Sequence, residues 1–374
     1  MNGTPNISQV LPSGEQFFAD MEIHIKGENF SANPEDNAVY FDNEKAVLIS
    51  SSIDELVARR PKLTGDSITI KVVVRDAYTF ATFSPYKIEK VKEEMGKFAS
   101  SNEIYSIAID RDENIYAACP GPIIFKITPN DDKTIFSNLV MQRPEQIRVA
   151  PGGYLYILTK VGKTKGYYRM PLSDGSTLEL VAVIPPTKTI SCMDFDQDGV
   201  LYSLGKKTGV YMLNPDATVI TSTTFKDYMA FDCRVFQGYL YVAATYDGPP
   251  ESWKGTAIFR AQILGENKLG PEELVLNLKA NGEYAAARVL SFTFSENGDL
   301  YVGTDQANPI LIVSQSGEIS PVYPTLIDPS GAVLLWGNDT FLYMVRGNEG
   351  GIFSSGRIFR LRLTQKGAPY FGRR

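Results

Sequence analysis

Alternating apolar and polar positions divide the chain into short strands, and one strand pattern recurs six times between residues 105 and 345. Each repeat has an apolar first strand, a turn rich in Asp, Asn and Gly, and a second strand that contains an apolar residue followed by Tyr. The pairs are Ile115-Tyr116, Leu155-Tyr156, Leu201-Tyr202, Leu240-Tyr241, Leu300-Tyr301 and Leu342-Tyr343. A period of roughly 40 to 50 residues is typical of β-propellers, in which each repeat is one four-stranded blade. The pattern therefore predicts a propeller over residues 102–374.

The number of repeats predicts six blades. The interval between Tyr241 and Tyr301 is longer than the others, which leaves five or seven blades open. We attribute the additional residues to insertions in blade four. Because propellers support hydrolases, lyases and inert binding platforms alike, the fold does not decide the function.

Residues 1–90 lack the Tyr-marked repeat and consist of short alternating strands separated by turn residues. Alternation with a period of two is clear at Met21–Phe30, Asn37–Phe41 and Ile68–Val74. This pattern predicts a small β-sandwich. The predicted fold class is therefore all-β, with a small N-terminal β-sandwich followed by a six-bladed β-propeller.

The same N-terminal residues carry a family resemblance. The Gly-x-Asn-Phe turn at 27–30, the Val-x-Phe at 39–41, Pro61 and the closing Tyr86-Lys87-Ile88 resemble an IPT/TIG immunoglobulin-like domain. The resemblance covers about a quarter of the chain. Residues 91–101 form a charged linker in this interpretation, and alternatively Lys97–Ser100 adds an outer strand that closes the last blade.

Composition excludes several classes of function. The chain has 374 residues, a formal net charge of −6 and no basic stripe, so nucleic acid is not an expected partner. No run of apolar residues is long enough to span a membrane. The three cysteines stand in apolar strands without metal-binding spacing, which predicts buried free thiols.

The chain has a single histidine, His24, and it lies outside the predicted propeller on an alternating strand where it is expected to face solvent. Propeller lyases and many hydrolases need a histidine as base or metal ligand, so the sequence argues against an enzyme. The run Asp194–Gly199 has the opening spacing of a calcium loop, but its twelfth position is Gly205 rather than Glu, which favours a structural turn. We therefore expect no catalytic residue, no metal and no cofactor.

The loops that join second to third strands, and those that join one blade to the next, share one face of a propeller. The longest such loop, in blade four, contains Trp253 beside tyrosine, carboxylate and amine groups. Aromatic rings stack on sugar C–H groups while charged side chains bind hydroxyls, so this face is the candidate glycan site. The predicted ligand-binding residues are Tyr246, Asp247, Trp253, Lys254, Tyr284, Arg288, Asp305, Gln306 and Arg346. The alternative is that Trp253 covers the underside of its own loop.

The region 102–374 resembles NHL-type propellers, since an apolar-Tyr strand follows a D-x-x-G-like turn in each blade. An IPT/TIG module followed by such a propeller is similar to surface lipoproteins of Bacteroidota encoded beside glycan-import machinery. The resemblance implies a non-catalytic binding protein on the outer-membrane surface or in the periplasm, with a glycan ligand, an outer-membrane protein partner and a lipid anchor on the precursor. Two alternatives stay open: a protein-interaction scaffold, and a lyase or hydrolase that uses carboxylates.

The start of the chain, Met1–Pro5, has no charged or apolar signal segment. The protein is therefore expected either to be cytoplasmic or to have had its signal removed. The resemblance favours the second of these.

Overall fold

The computed structural model describes residues 3–13, 21–99, 103–265, 267–327, 331–346 and 356–373. The chain divides into two compact units, Met1–Lys92 with Arg362–Thr364, and Glu93–Leu361 with Gln365–Arg374. Within the described ranges no helix has the length and apolar character needed to cross a membrane.

The first unit is an immunoglobulin-like sandwich of two antiparallel four-stranded sheets, with strand orders β1-β2-β6-β5 and β4-β3-β7-β8. Its strands are β1 (Asn6–Leu11), β2 (Glu22–Glu28), β3 (Asn37–Phe41), β4 (Glu44–Lys45), β5 (Leu48–Ser51), β6 (Glu55–Arg59), β7 (Gly65–Val74) and β8 (Ala81–Ile88). Inward positions alternate along each strand, as the sequence predicted: Ile23, Ile25, Val39 and Phe41 are fully buried. His24, between two of them, contacts Glu55 with its Nδ1 3.2 Å from Oε1, and its side chain is 41% exposed.

The Gly-x-Asn-Phe turn has a steric explanation. A Cβ on Gly27 would lie 2.0 Å from the carbonyl oxygen of Asn6 on the paired strand β1. Asn29 adopts a φ of 60°, a left-handed conformation that Asn tolerates better than most residues. Phe30 then enters the core, where it is 5% exposed. The motif thus turns the chain out of the sheet and returns an aromatic ring to the interior.

The second unit is a six-bladed propeller, and each blade is a four-stranded antiparallel sheet within the described residues. In blade order the strands are β10 (Ser106–Ile109), β11 (Ile115–Cys119), β12 (Ile123–Ile127) and β13 (Lys133–Ser137); β14 (Gln146–Ala150), β15 (Tyr154–Val161), β16 (Thr164–Pro171) and β17 (Glu179–Val183); β18 (Ile190–Phe195), β19 (Leu201–Gly205), β20 (Val210–Leu213) and β21 (Val219–Ser222); β22 (Met229–Phe236), β23 (Tyr239–Tyr246), β24 (Gly255–Ile263) and β25 (Leu269–Leu276); β26 (Val289–Phe294), β27 (Leu300–Thr304), β28 (Ile310–Val313) and β29 (Ile319–Pro321); β30 (Gly331–Trp336), β31 (Phe341–Arg346), β32 (Arg357–Arg362) and β9 (Lys92–Met95).

Burial falls from the first strand of a blade to the fourth. All residues of β10 and β14 are buried, whereas β13 and β17 are mostly exposed. This gradient arises because inner strands are covered by neighbouring blades on both faces, while outer strands face solvent. The three cysteines lie on inner or second strands, buried and free, as the sequence predicted.

The repeated tyrosines are structural. The hydroxyl of Tyr116 donates a hydrogen bond to Asp110 Oδ2 at 3.0 Å, and that of Tyr202 donates to Asp196 Oδ2 at 3.1 Å. Both rings are buried, so each tyrosine fixes the turn at the end of its first strand to its second strand. The other oxygen of Asp196 accepts from the backbone N–H groups of Asp198 and Val200. The calcium-like spacing is therefore a turn, in agreement with the preferred interpretation.

The ring is closed by a strand from the beginning of the unit. β9 (Lys92–Met95) is the outermost strand of blade six, beside β32. The sequence analysis gave a closing strand within residues 91–101 as an alternative and placed it at Lys97–Ser100; those bounds were wrong, because residues 97–99 have no strand structure, and residue 100 lies outside the described residues. The segment treated as a linker therefore contains the closing strand.

Side chains on the first strands join adjacent blades. Ser106 Oγ accepts a hydrogen bond from the N–H of Ile147 at 3.1 Å, linking blades one and two. Asp194 Oδ2 accepts from the N–H of Val235 at 2.7 Å, linking blades three and four. These bonds satisfy N–H groups that no strand partner reaches at the centre of the ring.

Candidate functional site

The blade-four loop, residues 246–255, joins β23 to β24 and contains the predicted aromatic group. Trp253 is half-buried, with its ring 5.6 Å from that of Phe259 and 6.2 Å from that of Tyr246. Tyr246 in turn stacks on the buried ring of Tyr228, 4.4 Å away. The loop therefore presents a partly exposed aromatic surface, and its inner side packs on the blade core, which is part of what the alternative interpretation expected.

The charged residues of the blade-four loop lie beside these rings. Asp247 is exposed, and the Nζ of Lys254 lies 2.7 Å from Glu251 Oε2. The side-chain amide of Asn277 donates to the carbonyl oxygens of Ser252 at 2.8 Å and Lys254 at 3.3 Å. The loop is thus fastened to the connection between blades four and five, and its conformation is determined before any ligand binds.

A second group of predicted residues lies close together near the start of blade five. Asp305 Oδ1 accepts hydrogen bonds from the backbone N–H of Arg288 at 3.0 Å and from the side-chain amide of Gln306 at 2.8 Å. Tyr284 is half-buried in the same connection, and partial burial raises the pKa of its hydroxyl. Arg288 is an exposed residue. The structure therefore brings together Arg288, Asp305 and Gln306.

The ninth predicted residue, Arg346, ends β31 in blade six and is half-buried. It immediately precedes residues outside the described part of the chain. The predicted residues thus form two groups, on the blade-four loop and at the start of blade five, with Arg346 one blade further on. Their role in binding a ligand remains a prediction.

The centre of the propeller contains a charged cluster that the sequence analysis did not propose as a site. Arg148 from β14, Asp194 from β18, and Asp232 and Arg234 from β22 are each less than 8% exposed. The Nη1 of Arg234 lies 2.7 Å from Asp232 Oδ1, and the Nη2 of Arg148 lies 3.7 Å from the same oxygen. We call these four residues the channel cluster.

The C-terminal tail, residues 367–373, covers the channel cluster. The hydroxyl of Tyr370 donates to the carbonyl oxygen of Val149 at 2.9 Å, and the Nε of Arg373 donates to that of Ile109 at 2.9 Å. Beneath the tail lies a cavity of about 50 Å³ that is lined by three residues of the cluster and by Trp336. The tail thus fastens blades one and two across the end of the channel.

The electrostatic state of the cluster follows from its burial. Desolvation raises the pKa of Asp194 to about 6, although Arg234 and Arg148 act in the opposite direction. Two channel carboxylates are a feature that would suit a hydrolase. Here, however, Asp194 accepts a hydrogen bond from a backbone N–H group of the next blade, and Asp232 is paired with Arg234 beneath the tail. Both carboxylates therefore have structural partners.

The described residues contain no group of three or more His, Cys, Asp or Glu side chains suited to a metal ion. The described residues thus include an aromatic and polar loop face and a charged channel with a small cavity. A second cavity, of about 630 Å³, is lined by residues of the tail together with Arg111, Glu296 and Asn338.

Comparison with solved structures identifies similar folds. An auxiliary nutrient-binding protein from Bacteroides thetaiotaomicron aligns with a TM-score of 0.56 and 12% identity over 96% of this chain and 97% of that chain. Its counterpart from Bacteroides ovatus gives 0.53 and 12% over 96% and 97%. A luciferin-regenerating enzyme gives 0.56 and 14% over 76% and 99%. Identities this low establish a shared fold only.

No curated protein matches the chain in sequence. One family model does match: the IPT/TIG domain, over residues 5–89. This range covers the eight strands of the sandwich, including the Gly-x-Asn-Phe turn that carried the resemblance. The N-terminal unit is therefore an IPT/TIG domain, and the chain joins it to a six-bladed β-propeller of the kind found in Bacteroides proteins.

Proposed function

We propose that this chain is a non-catalytic binding protein that recognises a glycan on the loop face of its propeller. The observation that carries the proposal is the blade-four loop, where the half-buried rings of Tyr246 and Trp253 lie next to the exposed Asp247. A flat apolar face with adjacent polar groups suits sugar rings, whose C–H faces stack while their hydroxyls form hydrogen bonds.

Rigidity supports the same function. The hydrogen bonds from Asn277 hold the blade-four loop, and those to Asp305 hold Arg288 and Gln306. A site ordered before binding loses little conformational entropy when a ligand binds. The two groups flank the same connection between blades, so an extended oligosaccharide is a more suitable ligand than a single sugar.

The cellular setting is part of the proposal. Two structures with the same two-part fold are named auxiliary nutrient-binding proteins of Bacteroides. We propose an extracytoplasmic location, at the outer-membrane surface or in the periplasm, with an NHL-like propeller as the recognition unit and the IPT/TIG domain as spacer or docking module. Protease accessibility in intact cells, compared with lysed cells, tests this location directly.

Affinity gel electrophoresis against plant, microbial and host polysaccharides tests the ligand class. We expect retardation by at least one polysaccharide, without release of reducing sugar in the same sample. Trp253→Ala is expected to weaken binding by about 30-fold, the effect typical of a central aromatic contact. Release of reducing sugar would instead support the hydrolase alternative.

Two further variants separate ligand contact from loop damage. Asp247→Ala removes an exposed carboxylate and is expected to weaken binding about tenfold while leaving the melting temperature unchanged. Tyr78→Ala removes an 84% exposed aromatic ring in the IPT/TIG domain and is expected to leave binding unchanged. Equal binding by the parent and both blade-four variants would refute this site.

A protein-binding scaffold is the second candidate, and a specific observation favours it. β5 is an edge strand of the sandwich, and exposed apolar side chains stand on it and beside it: Val47 at 59%, Ile49 at 46% and Ile53 at 67%. An apolar edge strand can accept an added strand from a partner. The double variant Ile49→Lys with Ile53→Lys should then abolish cross-linking to a partner in intact cells.

Ile135→Lys is the matched control for that experiment, because Ile135 is 59% exposed on an outer strand of the propeller. Cross-linking that survives the double variant, or that is lost equally in the control, would exclude the edge strand as the docking surface.

A further inference from the structure

The channel cluster contains buried hydrogen-bond donors that have no protein acceptor. Among the described residues, the Nε and Nη2 of Arg148, the Nε of Arg234 and the indole Nε1 of Trp336 lack a hydrogen-bond partner. The three residues are only 2%, 7% and 4% exposed. A buried donor without an acceptor destabilises a fold, so native structures rarely leave several of them together.

The residues that carry these donors line one space. Arg148, Arg234 and Trp336 all line the cavity of about 50 Å³ beneath the C-terminal tail. A water molecule needs roughly 10 to 15 Å³ of such volume, so the cavity admits a few waters or one small ion and excludes a sugar. The cavity is therefore a different site from the loop face proposed to bind a glycan.

Unpartnered donors outnumber unpartnered acceptors around the cavity. The two arginines of the channel cluster balance its two carboxylates, and Arg373, which also lines the cavity, interacts with Glu113 and Asp110. The hydrogen-bonding groups rather than the net charge therefore select the occupant. Only one unpartnered acceptor, Asp194 Oδ1, accompanies the unpartnered donors in this part of the structure. An occupant that accepts several hydrogen bonds and carries negative charge satisfies the cluster best.

We propose that the centre of the propeller binds one small monovalent anion, of the size of a halide or formate, against Arg148, Arg234 and Trp336. The anion supplies acceptors to strands of three blades, β14, β22 and β30. It joins these blades at the axis. The tail, held through Tyr370 and Arg373, lines one side of the cavity.

The two tryptophans of the chain make the site measurable. In a Trp253→Phe background, Trp336 is the single tryptophan and its indole lines the cavity. Bromide, which quenches indole fluorescence on contact, is titrated against gluconate at constant ionic strength, since gluconate is too large for the cavity. We expect saturable quenching of the buried indole.

Arg148→Met in this background removes two of the unpartnered donors and one charge, and is expected to weaken bromide binding about tenfold or more. The matched control is Arg169→Met, which removes the same charge from the surface of blade two, where Arg169 pairs with Glu179 at 2.8 Å. It should leave the saturation curve unchanged. Saturation that is the same in Arg148→Met as in the control would overturn the proposal.

A second variant decides the question if Arg148→Met does not fold. Asp194→Asn removes a negative charge that faces the cavity and should tighten bromide binding. Unchanged or weaker binding contradicts the proposal. Two other results would also contradict the proposal, because each means that the cavity contains water only. One is fluorescence quenching that rises linearly with bromide concentration in the parent. The other is a bromide-soaked crystal without anomalous signal beside Arg148.

Discussion

Asp232 should be among the residues on which the stability of the propeller depends most. Its Oδ1 accepts from the Nη1 of Arg234 at 2.7 Å and from the N–H of Cys233 at 3.0 Å, and its Oδ2 accepts from the N–H of Phe292 at 3.2 Å. The Asp232→Asn substitution preserves the volume of the side chain. It removes the negative charge that compensates the charges of Arg234 and Arg148. It also places an amide NH2 group where the carboxylate now accepts hydrogen bonds from N–H donors.

Removing one partner of a buried ion pair costs about 3 to 5 kcal/mol, because the remaining charge has neither water nor a counter-ion. For a domain of more than about 250 residues, 1 kcal/mol corresponds to roughly 2 °C in melting temperature. We therefore expect Asp232→Asn to lower the propeller transition by about 6 to 10 °C. Differential scanning calorimetry is the suitable assay, since two structural units can unfold in separate transitions.

Glu179→Gln is the matched control for Asp232→Asn. Glu179 pairs with Arg169 at 2.8 Å, nearly the distance of the buried pair, but its side chain is 60% exposed. Exposed pairs contribute less than about 1 kcal/mol, so the expected shift is below about 2 °C. Equal shifts in the two variants would show that burial does not determine the strength of these pairs, and would refute the reasoning.

Three further predictions concern the core and the tail. Tyr202→Phe should destabilise the propeller by about 1 to 3 kcal/mol in urea unfolding, because it leaves the buried Asp196 Oδ2 without its phenol donor. Tyr370→Ala should lower the propeller transition by about 4 to 6 °C, since a half-buried ring and its bond to Val149 are lost, whereas Tyr370→Phe should cost about 1 kcal/mol. Burial raises the pKa of Asp194 to about 6, so the folded state binds a proton that the unfolded state releases near 3.9, and this residue's contribution to stability falls as pH rises from about 4 to 6. Urea unfolding at pH 4 and pH 7 measures this effect. Between pH 4 and pH 7, the free energy of unfolding of Asp194→Asn should rise by about 2 to 3 kcal/mol relative to that of the parent. A difference between the two proteins that is the same at both pH values would contradict the raised pKa.

The sequence predicted the blades well because their signal is local. Each apolar-Tyr pair lies on a second strand, and five of the six tyrosines are buried, as with Tyr116 on β11 and Tyr343 on β31, whereas Tyr156 on β15 is half-buried. The closing strand was misplaced because β9 reads Lys-Glu-Glu-Met and buries only Met95 completely. An outer strand needs little apolar character, so pattern alone does not locate it.

The channel cluster was missed because its residues come from three blades and meet only when the ring closes. A signal was nevertheless present. Arg148, Asp194 and Arg234 stand in mostly apolar first strands, which neighbouring blades cover on both faces. A charge in such a strand has to face the channel. By contrast, Trp253 and its loop were identified from length and composition, and their contacts to Phe259 became evident only from the structure.

The closure of blade six by β9 has a consequence for how the protein forms. Arg360 on β32 pairs with Glu93 on β9 at 2.5 Å, across 267 residues of sequence. During synthesis β9 leaves the ribosome long before its partner exists, so its edge stays unpaired while five blades are completed. Contacts so distant in sequence close slowly, because the entropy of the intervening loop must be lost first. The charged Lys-Glu-Glu sequence of β9 is well suited to this interval, since charge on an open edge opposes pairing with other chains.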